Sequence, residues 1–144
     1  MASSLEFQSG PIPATRVGSL VAAYEQQGGI GAHAIFLGRI RGDAKAGGRV
    51  RAIQFSTYKE MAYKEFESIA KDLSARYEIQ DLTVIHSEGE VAVGQLCMVI
   101  FVAGARRDAT LSAERELVER VKFDLPIWGK EVLEDGGDVW KVNT

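Results

Sequence analysis

One cysteine, Cys97, is the whole thiol complement of this 144-residue chain. A single cysteine makes neither an internal disulfide nor a cysteine-based zinc cage, which excludes both kinds of scaffold. Cys97 also sits inside an apolar run, where a thiol is ordinarily inert packing. An excess of positive charge is missing too. Lys plus Arg number 17 against 20 Asp plus Glu, a net charge of −3, whereas a general nucleic-acid-binding domain is strongly basic. Long hydrophobic runs are absent: the longest is Leu96 to Ala103, far short of the ~20 residues of a membrane helix. Met1 to Phe7 carries neither the basic nor the apolar region of a signal peptide, so the expected compartment is the cytoplasm, with no membrane partner. No repeat of 20–50 residues and no low-complexity tract appears. The phosphate-cradling Walker loop, the dinucleotide glycine fingerprint, His-Glu-x-x-His and Gly-x-Ser-x-Gly are all lacking. No metal and no bound cofactor is expected.

What remains is ordinary globular composition, 46% apolar and 26% charged, at a length that buries roughly two-thirds of its unfolded surface. One domain, 1–144, is expected. Leu5 to Gln8 reads as a short strand, ended by the Gly10-Pro11-Ile12-Pro13 corner. Val17, Leu20, Val21 and Tyr24 share a helical face between Pro13 and Gln27, with Gly28-Gly29 as a stop. Strands are expected over Gly31–Ile40 and Val50–Tyr58, separated by a polar, glycine-rich loop, 41–49, that reads as mobile. Ala62, Phe66, Ile69, Leu73 and Tyr77 mark a helix over Lys59–Tyr77. Asp81–His86 is a strand, and Gln95–Ala103, apolar on both faces, is a central one. Asp108 reads as the N-cap of a helix to about Phe123, with Leu111, Leu117, Val118 and Val121 inward. Short strand pieces around Gly136-Gly137 follow. The order β-α-β-β-α-β-β-α-β makes an α+β fold, with helices against one mixed or antiparallel sheet.

The chemistry-bearing feature is positive charge gathered within an acidic chain. Arg39, Arg41, Lys45, Arg49 and Arg51 fall in a stretch whose one acid is Asp43; Arg106 and Arg107 precede a helix; Lys122 and Lys130 flank Leu125-Pro126-Ile127-Trp128. Arginine forks and helix starts are good hosts for phosphate. Each cluster alone also fits a solvated surface. Lys122 borders the apolar stripe of its helix, so it reads either as a partly desolvated base or as a cation favoured at a helix C-terminus. His33 and His86 lie on strands and read as structural. An RNA- or polyphosphate-binding reading of 39–51 is opposed by the net charge and by the lack of stacking aromatics there.

The chain resembles the large, catalytic subunit family of molybdopterin synthase, often called MoaE. The pieces that carry the likeness run in order: Gly31-Ala32-His33-Ala34-Ile35-Phe36-Leu37-Gly38-Arg39-Ile40-Arg41, Tyr58-Lys59-Glu60-Met61-Ala62, Val84-Ile85-His86-Ser87-Glu88-Gly89 with Val93-Gly94, and Lys122 through Glu131. The resemblance implies an α/β-hammerhead-like core with an additional β-rich subdomain. It also implies a homodimer that binds two copies of a small ubiquitin-like sulfur carrier to give a heterotetramer. The carrier's C-terminal Gly-Gly, as a thiocarboxylate, delivers sulfur to cyclic pyranopterin monophosphate and builds the dithiolene of molybdopterin. Gly136-Gly137 of this chain is internal, so the chain is not expected to be the carrier.

Residue by residue, the resemblance makes Arg41, with Arg39 in the same Gly-(Arg/Lys)-x-Arg motif, a ligand of substrate phosphate or pterin oxygens. Lys122 matches the essential lysine, and Glu131 an acid that orients a basic group. Trp128 belongs to the substrate-binding tryptophan motif. Arg107 matches the arginine of a His-Arg pair that reaches into the neighbouring subunit's pocket, and Arg106 stands where that histidine is usual. One departure touches catalysis directly. The family's Trp-Lys-(Lys/Arg)-Glu is here Trp128-Gly129-Lys130-Glu131, so the second lysine position is glycine. Lys130 is the candidate replacement, although a shift of one residue along a strand reverses side-chain direction. Restoring a lysine at position 129 is expected to raise activity or leave it unchanged, provided the backbone φ there is not positive. Gly129 also favours an alternative reading, a paralogue that binds the carrier or a pterin phosphate without efficient turnover.

Overall fold

A computed structural model describes residues 1–143. The elements in chain order are β1 (Ala2–Ser9), α1 (Thr15–Ala22), β2 (Ala32–Arg39), β3 (Ala44–Lys45), β4 (Gly48–Thr57), α2 (Lys59–Arg76), β5 (Ile79–Ala92), β6 (Leu96–Gly104), α3 (Arg107–Asp124), β7 (Ile127–Leu133) and β8 (Asp138–Trp140). This is the expected α+β fold, with three helices against a mixed sheet. Two differences in order arise where the polar loop folds into the two-residue β3 hairpin and where the tail forms two strands.

The strand order is β2-β6-β5-β4-β7-β8, with β1 added beside β5 and β3 beside β4. The β1–β5 pair is parallel and the others antiparallel. β6 is buried along its whole length, as its two-sided apolar sequence requires of a strand held between β2 and β5. On one face Phe66, Ile69 and Leu73 of α2 and Ala113, Leu117 and Val121 of α3 pack on Leu82, Val84, Ile100 and Val102. On the other, Val17 and Leu20 of α1 cover Ile12, Ile85, Leu96 and Val99.

β5 is longer than the expected Asp81–His86, because it serves two neighbours in turn. Its residues to Glu88 pair with β1, and from Gly89 on they pair with β4. Gly89 has a φ of 78°, a conformation that suits glycine, and it stands where the strand changes partner. α1 is shorter than its apolar pattern, since turns replace the helix after Ala22. Asp108 is not the N-cap of α3. Arg106 takes that position without a side-chain cap bond, and the Thr110 hydroxyl donates to the Arg106 carbonyl at 2.6 Å. Leu111, expected inward, is 55% exposed, because α3 turns Thr110 and Ala113 to the sheet instead. Among the described residues no helix is long and apolar enough to cross a membrane.

Candidate functional site

The strand ends and the C-terminal turn of α3 leave a cavity of about 510 Å³. Arg39 and Arg41 reach it from the end of β2, where a register shift between Gly38 and Arg39 breaks the pairing with β6. Lys122 reaches it from the last turn of α3, and Glu131 from β7. Segments far apart in sequence therefore converge on one space.

β7 shows why some predicted residues arrive and others do not. Its register with β4 sets Ile53 opposite Glu131 and Phe55 opposite Gly129. Paired residues share a face, and all four line the cavity, as does Ile127. Lys130 and Trp128 alternate to the opposite face. The Lys130 ammonium lies 4.6 Å from the centre of the Trp140 ring, and Trp128 is 51% exposed. Arg106 and Arg107 line a separate, smaller hollow with Gly31, Ala105 and Asp108. The structure thus gathers Arg39, Arg41, Lys122 and Glu131, and does not bring Lys130, Trp128, Arg106 or Arg107 to them within one chain.

The cavity wall is cationic on balance. Arg39, Arg41, Lys122 and Lys141 face Asp43 and Glu131, and both carboxylates have partners. Arg41 donates to Asp43 at 3.2 Å, while Lys45 of the β3 hairpin sits 3.5 Å from Glu131. Glu131 is 7% exposed, a burial that a carboxylate accepts when a cation is beside it. The contact links the β3 hairpin, formed within the polar loop 41–49, to β7. Arg39 donates from its guanidinium to the Gly94 carbonyl at 2.7 Å, which holds that head group at the rim.

Two further groups complete the wall. His86 is buried, its ring edge-on to Phe55 and its Nδ1 2.9 Å from the Ser87 carbonyl. A carbonyl only accepts, so Nδ1 carries the hydrogen. Burial pushes the imidazole pKa down to about 4, against the weaker effect of that hydrogen bond. Cys97 also lines the cavity, with its pKa pushed by burial up to about 11, which keeps it a thiol and not a nucleophilic thiolate. Lys141 was missed in the sequence: nothing in the tail's short strand pieces fixed their register against β7. Among the described residues no three His, Cys, Asp or Glu side chains gather as a metal site.

The model of the MoaE protein family matches residues 8–124. The molybdopterin synthase catalytic subunit of Dictyostelium discoideum is 34% identical over 116 residues, 78% of this chain and 73% of its own length. That of Thermoplasma volcanium is 34% identical over 110 residues, 76% of this chain and 80% of its own. Among solved structures, molybdopterin synthase from Staphylococcus aureus superposes with a TM-score of 0.80 at 22% identity, over 96% of each chain. A complex of subunits 1 and 2 of the molybdopterin-converting factor from Helicobacter pylori gives 0.79 at 19% identity, over 94% of this chain and 88% of that one. At such identities the superpositions speak to the fold alone, and the sequence matches carry the kinship: this chain belongs to the MoaE family.

Proposed function

We propose that this chain is the catalytic subunit of a molybdopterin synthase, a sulfurtransferase of molybdenum cofactor biosynthesis. Its substrate is cyclic pyranopterin monophosphate, and its sulfur donor is the thiocarboxylated Gly-Gly tail of a small ubiquitin-like carrier. The observation that carries the reading is the convergence of Arg41, Lys122 and Glu131 on one cationic cavity. A phosphate monoester and a thiocarboxylate are both anions, and an excess of fixed positive charge in a partly apolar recess suits them. The cavity has the size expected of a small-molecule site.

The roles follow from position. Arg41, exposed at the rim and paired with Asp43, exchanges that partner for the substrate's phosphate, with Arg39 beside it. Lys122 stabilises the oxyanion that forms when the thiocarboxylate carbonyl is attacked, and serves the accompanying proton transfer. Glu131 orients the basic groups on its side of the cavity. Arg107, with Arg106, acts in the pocket of a second copy, so the working form is a homodimer carrying two carriers. Trp128 and Lys130, on the outer face of β7, stand away from the reacting atoms. The whole chain, 1–144, works as one domain, in the cytoplasm and without a bound cofactor.

Single-turnover product formation with thiocarboxylated carrier tests this. Lys122→Ala is expected to lose ~10²–10³ in rate with carrier binding intact. Arg41→Ala is expected to weaken substrate binding by about 1.5–3 kcal/mol. A wild-type protein that forms no product, or a Lys122→Ala protein at the wild-type rate, overturns the assignment.

A further inference from the structure

Gly129 leaves β7 without a side chain in the middle of the cavity floor, and the neighbouring strand supplies one there. β8 pairs antiparallel with β7, Trp140 opposite Lys130. The chain continues in register, so Lys141 stands opposite Gly129 and donates its backbone N–H to the Gly129 carbonyl at 2.8 Å. Opposed residues of an antiparallel pair project to the same face. The face shared by Gly129 is the one that lines the cavity, and Lys141 lines it too.

The tail is pinned on the far side as well. The Asn143 side-chain amide donates to the Lys122 carbonyl at 2.7 Å, satisfying one of the carbonyls that a helix leaves open at its C-terminus. Lys141 is therefore strung between Gly129 and the last turn of α3. A Cβ at position 129 would stand 3.0 Å from Ile53 Cγ2 and 3.2 Å from Phe55 Cε1. The floor is tight for a side chain from β7, whose neighbours would have to give by a few tenths of an ångström, and takes one from the tail.

We propose that Lys141 is the second lysine of the cavity, binding beside Lys122 the oxyanion that the site receives. The inference rests on the sulfurtransferase reading for the reaction and on geometry for the residue. Its surroundings agree with the role. Partial withdrawal from water, followed by the charge of Lys122, lowers the pKa of the Lys141 amine, with Arg41 acting in the same sense and Glu131 and Cys97 opposing.

The oxyanion belongs either to the substrate's phosphate or to the carrier's terminal carboxyl group, and two titrations separate them. Wild type, Lys141→Met and Lys141→Arg are titrated by calorimetry with inorganic phosphate and with carrier ending in Gly-Gly, and assayed for single turnover in the full complex. Lys141→Met is expected to lose about 10²-fold in rate and at least about tenfold in affinity for one of the two anions, with its melting temperature kept. Lys141→Arg, which keeps the charge, is expected to recover part of both. Loss confined to phosphate assigns the first source, and loss confined to carrier the second. Rate and both affinities within twofold of wild type in Lys141→Met overturn the proposal. If the wild type itself makes no product, the sulfurtransferase reading fails. The phosphate titration then still decides Lys141: a tenfold loss in Lys141→Met supports it, and an unchanged affinity overturns it.

Discussion

His86 illustrates what burial does to a single titrating residue in this protein. The unfolded chain takes up a proton on this imidazole near its ordinary value of 6.5, and the folded protein only near 4. Between those values the unfolded state binds more protons, so stability falls as the pH falls. Above 6.5 the effect is absent; by pH 4 it amounts to about 3 kcal/mol, at 1.36 kcal/mol per pKa unit. Asp72 and Glu116, held below their ordinary 3.8 and 4.5 chiefly by the Arg76 guanidinium, begin to lose their contribution as the pH falls toward those values. Asp81 and Glu114, raised by burial, act in the opposite sense, so comparison with a variant lacking the imidazole is what isolates the histidine. Urea unfolding from pH 7 to 4 is expected to show this loss in the wild type. In His86→Gln, whose amide still donates toward Ser87, the curve is expected to be flatter by about that amount. Parallel curves for the two proteins would show that the folded state accepts the proton without penalty.

At the scale of elements, β7 decides which residues serve the site. A lysine restored at position 129 was expected to raise activity or leave it unchanged if the backbone there avoids positive φ. That condition is met, since Gly129 is not among the glycines with positive φ. The packing is what opposes it: the new Cβ meets Ile53 and Phe55 below ordinary contact distance, and a further ammonium joins Lys122 and Lys141. Gly129→Lys is therefore expected to lose about 1–3 kcal/mol of stability, as overpacked positions do, and to turn over more slowly than wild type. Gly129→Lys combined with Lys141→Ala is expected to recover part of that rate. Activity at or above wild type in the single variant would overturn the steric reading. Sequence periodicity was sufficient for β6, α2 and the later turns of α3, where Leu117, Val118 and Val121 are buried, but not for the start of α3, where Thr110 and Ala113 face the sheet in place of Leu111. Strand alternation, which is local, spoke against Lys130 as the replacement lysine that the sequence put forward, and Lys130 lies over Trp140 and not among the residues lining the cavity. Periodicity did not give Lys141, whose place depends on how the tail pairs with β7 across the turn at Gly136. Nor did it give the length of β5, which is set by two partners distant in sequence. Arg41, Lys122 and Glu131 were legible through family resemblance, while their meeting in one cavity is a property of the fold.

At the scale of the whole molecule, the separation of Arg107 from the cavity becomes an argument about assembly. Arg107 starts α3 and lines its own hollow with Gly31 and Asp108, whereas Lys122 ends the same helix at the main cavity. An 18-residue helix spans about 27 Å at 1.5 Å per residue, so one chain does not bring both groups to one substrate. If Arg107 serves, it serves a second copy, and a symmetric dimer makes two such sites at once. A mixing experiment reads this directly. Lys122→Ala and Arg107→Ala are each expected to be weakly active. Co-refolded in equal amounts, half of the dimers are hybrids. In each hybrid the Arg107→Ala subunit keeps Lys122 and receives an intact Arg107 from its mate, while the other site is doubly defective. Half of the sites in half of the dimers are then wild type, so the mixture is expected to regain about a quarter of wild-type turnover. If Arg107 acted on its own chain's cavity, neither site of the hybrid would be intact and mixing would restore nothing. Light scattering on the same samples fixes the state of the protein: a dimer with no recovery removes Arg107 from the site, and a monomer that turns over at full rate removes the shared site altogether.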